Sequence, residues 1–173
     1  MNASCTLQLF ANGAWCDVGS VSLLGPEAQG WRSKTYTGYS VEWAIEHGGA
    51  RDAHAFACRF PVGLQAFEHP HWPVFLIDML PQGFGREELL RRLGLSVTAG
   101  ESVDWRLLLA GAGNSVGNLR VKEAASWLAA NAGPLRGFTD DEVAERGDDF
   151  AEFLASHGLF VAAHCALLSG ATM

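Results

Sequence analysis

The glycine-rich stretch GAGNSVG at residues 111–117 is the part of this chain that most resembles a phosphate-binding loop. Such a loop holds phosphate with its backbone N–H groups, and a dinucleotide-binding loop stands between a preceding strand and a following helix. Here the pattern predicts the reverse order, with an apolar helix from Trp105 before the loop and a strand from Asn118 to Val121 after it. We therefore interpret residues 111–117 as a tight structural turn in which glycine supplies positive φ and close packing.

Cysteine and histidine side chains show no pattern typical of a metal site. No Cys-x-x-Cys pair is present, so neither a zinc ribbon nor a redox motif is indicated, and the cysteines are interpreted as small buried residues. Two histidine pairs occur, but no Cys, Asp or Glu set accompanies them at ligand spacing. We predict no metal site and no cysteine–histidine nucleophile. The residues concerned are Cys5, Cys16, Cys58 and Cys165, with His69 and His71 as one pair and His157 and His164 as the other.

Charge argues against direct binding of nucleic acid. The net charge is −7, so the surface as a whole repels a phosphate backbone. One dense basic run exists, in which Glu87 and Glu88 lie between Arg86 and the pair Arg91 and Arg92. On a helix this mixture is typical of a solvated face whose charges pair with one another, and we predict that arrangement.

Length and composition predict one compact domain, or a domain with a short extension. The chain has 173 residues, of which 49% are hydrophobic and 18% are charged, a balance that excludes a disordered protein. No stretch reaches the roughly 20 apolar residues that a membrane helix needs. The amino terminus also lacks a signal-peptide pattern. We therefore predict a cytoplasmic protein without a membrane partner.

The first part of the chain is predicted to form a hairpin-rich antiparallel sheet. Two alternating runs, Thr6 to Phe10 and Trp15 to Leu24, flank the pair Asn12-Gly13, which is a strong hairpin signal. A third run, Trp31 to Tyr39, is predicted to be an exposed or edge strand. Ala55 to Phe60 is predicted to be a short apolar strand that ends at Pro61.

Short helices are predicted next. Ser40 is expected to cap a helical turn. A buried helix with apolar residues on nearly every side is expected before Pro81. A helix with one leucine stripe is expected to close at Gly94, and a third to begin after Asp104 as its cap. The apolar positions are Val74 to Ile77, Met79 and Leu80 in the first, Leu89, Leu90, Leu93 and Leu95 in the second, and Trp105 and Leu107 to Leu109 in the third.

The segment Phe75 to Val121 resembles the amino-terminal subdomain of the HipA-like family of bacterial serine/threonine kinases, the toxins of toxin–antitoxin operons. The shared landmarks occur in the family's order: Leu80-Pro81-Gln82-Gly83, a short helix with Leu93-Gly94, the aromatic-Leu-Leu segment from Trp105, and a glycine turn that enters a strand. The resemblance implies an α+β fold, with the hairpin-rich antiparallel sheet packed with short helices and followed by a helical connection toward a kinase core.

The resemblance also implies a division of the chain. Residues 1–121 correspond to the amino-terminal subdomain. Residues 122–173 correspond to the helical connection and the beginning of the kinase core, ending at the phosphate-loop region. Ser169 and Gly170 resemble the start of that loop, and Ser169 or Thr172 matches the family's autophosphorylated position. The lysine, aspartate and asparagine that the family uses for ATP and magnesium are missing, so the chain is expected to bind neither cofactor and to be inactive alone, whereas a complete kinase would use both.

Three functional hypotheses follow. In the first, the chain is the non-catalytic amino-terminal portion of a HipA-like kinase toxin, whose partners are the kinase core and a helix-turn-helix HipB-like antitoxin. In the second, it is a separately encoded regulatory or antitoxin subunit, HipS-like, that binds a kinase core. In the third, it is an unrelated cytosolic α+β interaction module. For a kinase fragment, the apolar run from Phe160 to Leu168 is expected to promote association.

Overall fold

The computed structural model describes residues 3–97, 100–115 and 117–131. These residues form an α+β fold built on a five-stranded antiparallel sheet with strand order β4-β3-β2-β1-β5. The strands are β1 Ser4–Ala11, β2 Ala14–Leu23, β3 Thr35–Tyr39, β4 Phe67–His69 and β5 Leu119–Val121. The helices are a 3₁₀ helix Glu27–Arg32, then α1 Val41–Glu46, α2 Val74–Asp78, α3 Gly83–Arg92, α4 Asp104–Gly111 and α5 Lys122–Asn131.

The predicted β1–β2 hairpin is confirmed. Asn12 has φ 51° and Gly13 has φ 80°, the two positive values that a two-residue hairpin turn of this kind requires. The pairing runs from Ala11 opposite Ala14 to Ser4 opposite Ser22, with one irregularity between Leu7 and Gln8. The long hairpin is the centre of the sheet, and the shorter strands add to its two sides.

One face of the sheet carries the hydrophobic core and the other faces solvent. Side chains alternate along β1, so that Leu7 and Leu9 are fully buried while Phe10 on the opposite face is 47% exposed. The helical side of the core includes Trp72 and Trp105, whose rings meet edge to face with centroids 5.5 Å apart. The open face therefore remains available for polar and aromatic groups.

Two strand predictions need correction. The strand predicted for Trp31 to Tyr39 is limited to Thr35–Tyr39, because Trp31 and Arg32 belong to the 3₁₀ helix, where Gly30 takes φ 56° and ψ −136°. This strand is also not an edge strand, since β4 pairs with it on the side away from β2. Side chains alternate along this strand, since Thr35 and Thr37 are fully buried and Tyr36 is exposed.

The strand predicted for Ala55 to Phe60 was wrong. These residues form turns and bends, and the strand in this part of the chain is β4. The turn is held by Tyr39, whose hydroxyl accepts a hydrogen bond from Phe56 N at 2.9 Å and donates one to Phe60 O at 2.5 Å. The ring of Phe56 stacks on that of Tyr39 with centroids 3.9 Å apart. A short apolar run thus signals burial without specifying a strand.

The helices follow the predicted order with changes in detail. Ser40 caps α1 through a hydrogen bond from Trp43 N, as predicted. The helix α2 is buried on one side only, because Leu76 is fully buried whereas Val74 is 68% exposed. Two backbone hydrogen bonds close α3 in a Schellman motif. Gly94 N donates to Arg91 O and Leu95 N donates to Leu90 O, with Gly94 at φ 61°. None of the helices within the described residues is long and apolar enough to cross a membrane.

Candidate functional site

The glycine turn after α4 is a packing joint, which agrees with the helix–turn–strand order predicted from the sequence. A Cβ atom on Gly113 would overlap the backbone of Ala124 and Ala125 in α5, lying 2.6 Å from the Ala124 carbonyl oxygen. Val121 N donates to Ala112 O at 2.9 Å, which ties β5 to the end of α4. The absence of a side chain at Gly113 is therefore what allows α5 to lie directly against the turn.

Three of the four sequence landmarks of the segment Phe75 to Val121 meet at one junction, formed by Pro81, Leu89 and Gly111. A Cβ atom on Gly111 would lie 3.0 Å from Leu89 Cδ1 and 3.1 Å from Pro81 Cγ and Cδ. The proline turn before α3, the leucine stripe of α3 and the end of α4 are thus in direct contact. Segments that are well separated in sequence therefore pack against one another.

The basic run on α3 pairs with acidic residues, as predicted. Glu88 accepts hydrogen bonds from Arg91 and Arg92, with nitrogen–oxygen distances of 2.7 to 2.8 Å. These bonds, the one from Arg91 first, lower the pKa of Glu88 to about 2 although burial opposes the change. The face is less solvated than predicted, since Glu88 is only 6% exposed. This run therefore lacks the unpaired cations that phosphate binding needs.

Asp104 organises the contact between the 3₁₀ helix, α3 and α4. The prediction that it caps α4 needs correction, because the helix begins at Asp104 itself and the cap position is Val103. Its carboxylate instead accepts bonds from Arg86 Nη2 at 2.8 Å and from Trp31 N at 3.4 Å. Burial raises the pKa of Asp104, but hydrogen bonds from Ser102 and Arg86 outweigh burial and hold it below its usual value. This is a buried structural ion pair rather than a catalytic carboxylate.

The open face of the sheet carries a polar cluster that sequence analysis missed. Arg120 of β5 lies over the ring of Trp15 in β2, with its guanidinium carbon 4.0 Å from the ring centroid. Arg120 Nε donates to Gln8 Oε1 at 2.8 Å, and Gln8 Nε2 donates to Asp17 Oδ1 at 2.7 Å. Lys122 Nζ ends this series of hydrogen bonds by donating to Asp17 Oδ2 at 2.5 Å. Strand alternation in the sequence could have indicated this cluster. It places Gln8, Trp15, Asp17 and Arg120 on the face of the sheet opposite the buried residues that adjoin them in the chain.

Histidines form a second cluster beside α1. The rings of His47 and His54 stack with centroids 4.4 Å apart, and the ring of Trp43 lies 4.1 Å from that of His47. His54 Nδ1 lies 2.8 Å from Asp52 Oδ1. Parallel stacking does not direct ring nitrogens toward a shared ion. Within residues 3–97, 100–115 and 117–131, no group of three or more His, Cys, Asp or Glu side chains could hold a metal ion.

Several predicted site residues lie outside the described residues. These are the start of the phosphate loop at Ser169 and Gly170, the autophosphorylation candidates Ser169 and Thr172, and His157, His164 and Cys165. Among the cysteines that are described, Cys5, Cys16 and Cys58 are free thiols; Cys5 is buried as predicted, whereas Cys16 is half-buried and the prediction is wrong for Cys58, which is exposed. Burial raises the pKa of the Cys5 thiol to about 12, so it is an inert core residue.

Comparison with known proteins identified no relative of this chain. No family model matches the chain, and neither do the curated proteins nor the solved structures. The site must therefore be interpreted from its own geometry and from the sequence resemblance alone.

Proposed function

We propose that this chain is the amino-terminal portion of a HipA-like serine/threonine-protein kinase toxin of a toxin–antitoxin system, and that it is not catalytic on its own. The observation that supports the proposal is the junction of Pro81, Leu89 and Gly111. Each of these residues belongs to one of the landmarks that carry the resemblance, and their mutual contact gives the landmarks a common structural purpose.

In this function the unit supports a kinase core without taking part in phosphoryl transfer. That reaction needs groups that position the phosphates and neutralise their charge, and the core would supply these with ATP and magnesium. Ion pairs lie next to the junction, between Glu88 and the arginines Arg91 and Arg92 within α3, and between Arg86 of α3 and Asp104 of α4. A HipB-like antitoxin and a cytoplasmic location belong to the same proposal.

A second candidate function, that of a HipS-like regulatory subunit, is favoured by the way α5 closes the fold. The Glu123 carboxylate accepts a hydrogen bond from Thr6 N at 3.0 Å on the edge of β1, and Lys122 pairs with Asp17 of β2. Ala124 is fully buried against the core. Glu123 thus gives an acceptor to a β1 N–H that lies beyond the pairing with the short strand β5, and such cover over unpaired strand positions favours a separately folding subunit.

The test is reconstitution with the kinase core encoded after or beside this chain. We expect the isolated chain to bind no Mg-ATP in calorimetry, and the two parts together to co-elute in size-exclusion chromatography and to transfer phosphate. Tight Mg-ATP binding by the isolated chain, or failure to form a complex, would contradict the proposal. Phosphate transfer that rises when this chain is added supports the kinase portion, whereas transfer that falls supports the regulatory subunit.

A pair of surface variants shows which face binds the core. Phe84 is 40% exposed in the first turn of α3, three residues after Pro81 of the junction, and Ile45 is 75% exposed on α1. If the core binds at the junction, Phe84→Lys weakens the complex and Ile45→Lys leaves it unchanged. Equal effects of the two variants would exclude the junction as the binding face.

A further inference from the structure

Arg120 on the open face of the sheet has donors that no described residue uses. Its Nε donates to Gln8, whereas its terminal nitrogens form no hydrogen bond or ion pair with the described part of the chain. The other cations described on this side are neutralised: Lys34 pairs with Glu68 and Lys122 pairs with Asp17. Among these three cations, Arg120 is thus the one whose charge is not compensated by a described carboxylate.

The guanidinium is held in place before any ligand arrives. Its guanidinium carbon lies over the Trp15 ring, and its Nε is held by the hydrogen bond to Gln8. Gln8 is itself only 7% exposed and is oriented by Asp17, whose pKa is lowered by hydrogen bonds from Lys122 and then Gln8. An arginine ordered in this way loses little conformational entropy on binding, which favours a two-bond contact with a planar anion.

Aromatic side chains lie on the same face of the sheet as this cation. Phe10 is 47% exposed and its ring lies 5.3 Å from that of Trp15, and Tyr36 on the same face of the sheet is also 47% exposed. Arginine, tryptophan, tyrosine and phenylalanine are the residues enriched where proteins bind other proteins. The combination of one free cation and an apolar aromatic surface suits an acidic residue that stands next to an apolar one.

We propose that Arg120, Trp15 and Phe10 form a binding site for a partner protein that presents an Asp or Glu carboxylate beside an apolar side chain. The carboxylate accepts two parallel hydrogen bonds from the Arg120 terminal nitrogens, and the apolar group packs against Phe10. A protein partner is favoured over single-stranded nucleic acid because a nucleic acid brings several phosphates to a chain whose net charge is −7, whereas a single carboxylate needs only the one uncompensated arginine. The proposal is independent of the kinase assignment.

The test is an NMR titration of the full chain, observing the Arg120 Nε–H and Trp15 indole N–H signals. The probes are the blocked peptide acetyl-GDFEG-amide and its uncharged isostere acetyl-GNFQG-amide. We expect saturable shifts of both signals with the acidic peptide and about tenfold weaker binding of the isostere. Arg120→Gln should abolish the shift at Trp15, Arg120→Lys should retain part of the affinity, and Lys34→Gln should leave it unchanged.

The comparison of the two peptides uses the natural chain, so it remains decisive even if Arg120→Gln does not fold. Equal binding of the acidic peptide and its isostere, or no shift at Arg120 with either peptide, would overturn the proposal. So would tighter binding of oligo-dT than of the acidic peptide at the same salt concentration, because that result would identify the face as a stacking surface for single-stranded nucleic acid.

Discussion

Gly113 of the glycine turn and Ala124 of α5 approach so closely that the space between them holds no side chain. We expect Gly113→Ala to destabilise the protein by about 3 kcal/mol, because the new methyl group would meet backbone atoms that cannot rotate away. The measurement is the urea midpoint followed by circular dichroism. Gly63→Ala is the matched control, since its methyl group would contact one atom, Gln65 N, at 4.0 Å. Equal midpoints for the two variants would contradict the close packing at Gly113.

Gly94 closes α3 in a left-handed conformation with φ 61°, and a methyl group added there would meet no other atom within 4 Å. Gly94→Ala therefore tests backbone strain without any steric overlap. We expect a loss of about 1 kcal/mol, which is smaller than the loss at Gly113. Denaturation of Gly94→Ala and Gly113→Ala side by side checks the order. A larger loss at Gly94 would mean that conformation, and not packing, limits these turns.

The parts of this fold that were predicted correctly depend on local interactions. The Asn12-Gly13 turn, the Ser40 cap and the Gly94 helix end each involve residues within a few positions of one another, so short patterns identify them. The order of helix, glycine turn and strand was likewise visible in the sequence.

The errors and omissions depend on partners far away in the chain. Whether the apolar residues Ala55 to Phe60 form a strand depends on Tyr39, whose hydroxyl holds them in a turn. The site at Arg120 requires Gln8, which lies near the opposite end of the described chain. Alternation indicates which face of a strand each residue occupies, but it does not reveal which strands are neighbours.

Tyr39 joins two backbone positions of the turn that follows α1. We expect Tyr39→Phe to cost about 1–3 kcal/mol, because Phe56 N loses its acceptor and Phe60 O loses its donor in a buried place. Tyr36→Phe on the same strand is the control, since that tyrosine is 47% exposed and should change stability by less than about 0.5 kcal/mol. Thermal denaturation of both variants measures the difference. A neutral Tyr39→Phe would show that water replaces the hydroxyl without loss.

Glu88 makes part of the stability dependent on pH. Its pKa is about 2 in the folded protein, compared with 4.5 as the ordinary value, because Arg91 and Arg92 hold its carboxylate ionised. The resulting stabilisation is fully present above pH 4.5 and is lost as the pH falls through 2. We expect Glu88→Gln to lower the free energy of unfolding by about 1–2 kcal/mol at neutral pH, and this difference from the natural protein to shrink steadily below pH 4.5.

Urea denaturation of both proteins at several pH values gives that difference directly, and subtracting the two curves removes the contributions of Asp17 and Asp104. Glu87→Gln makes the same change of charge on an exposed neighbour of the same helix, and we expect it to alter stability by less than about 0.5 kcal/mol at neutral pH. A difference between Glu88→Gln and the natural protein that stays constant down to acidic pH would show that the Glu88 contribution comes from packing. In that case the paired arginines of α3 would not be what holds its carboxylate in place.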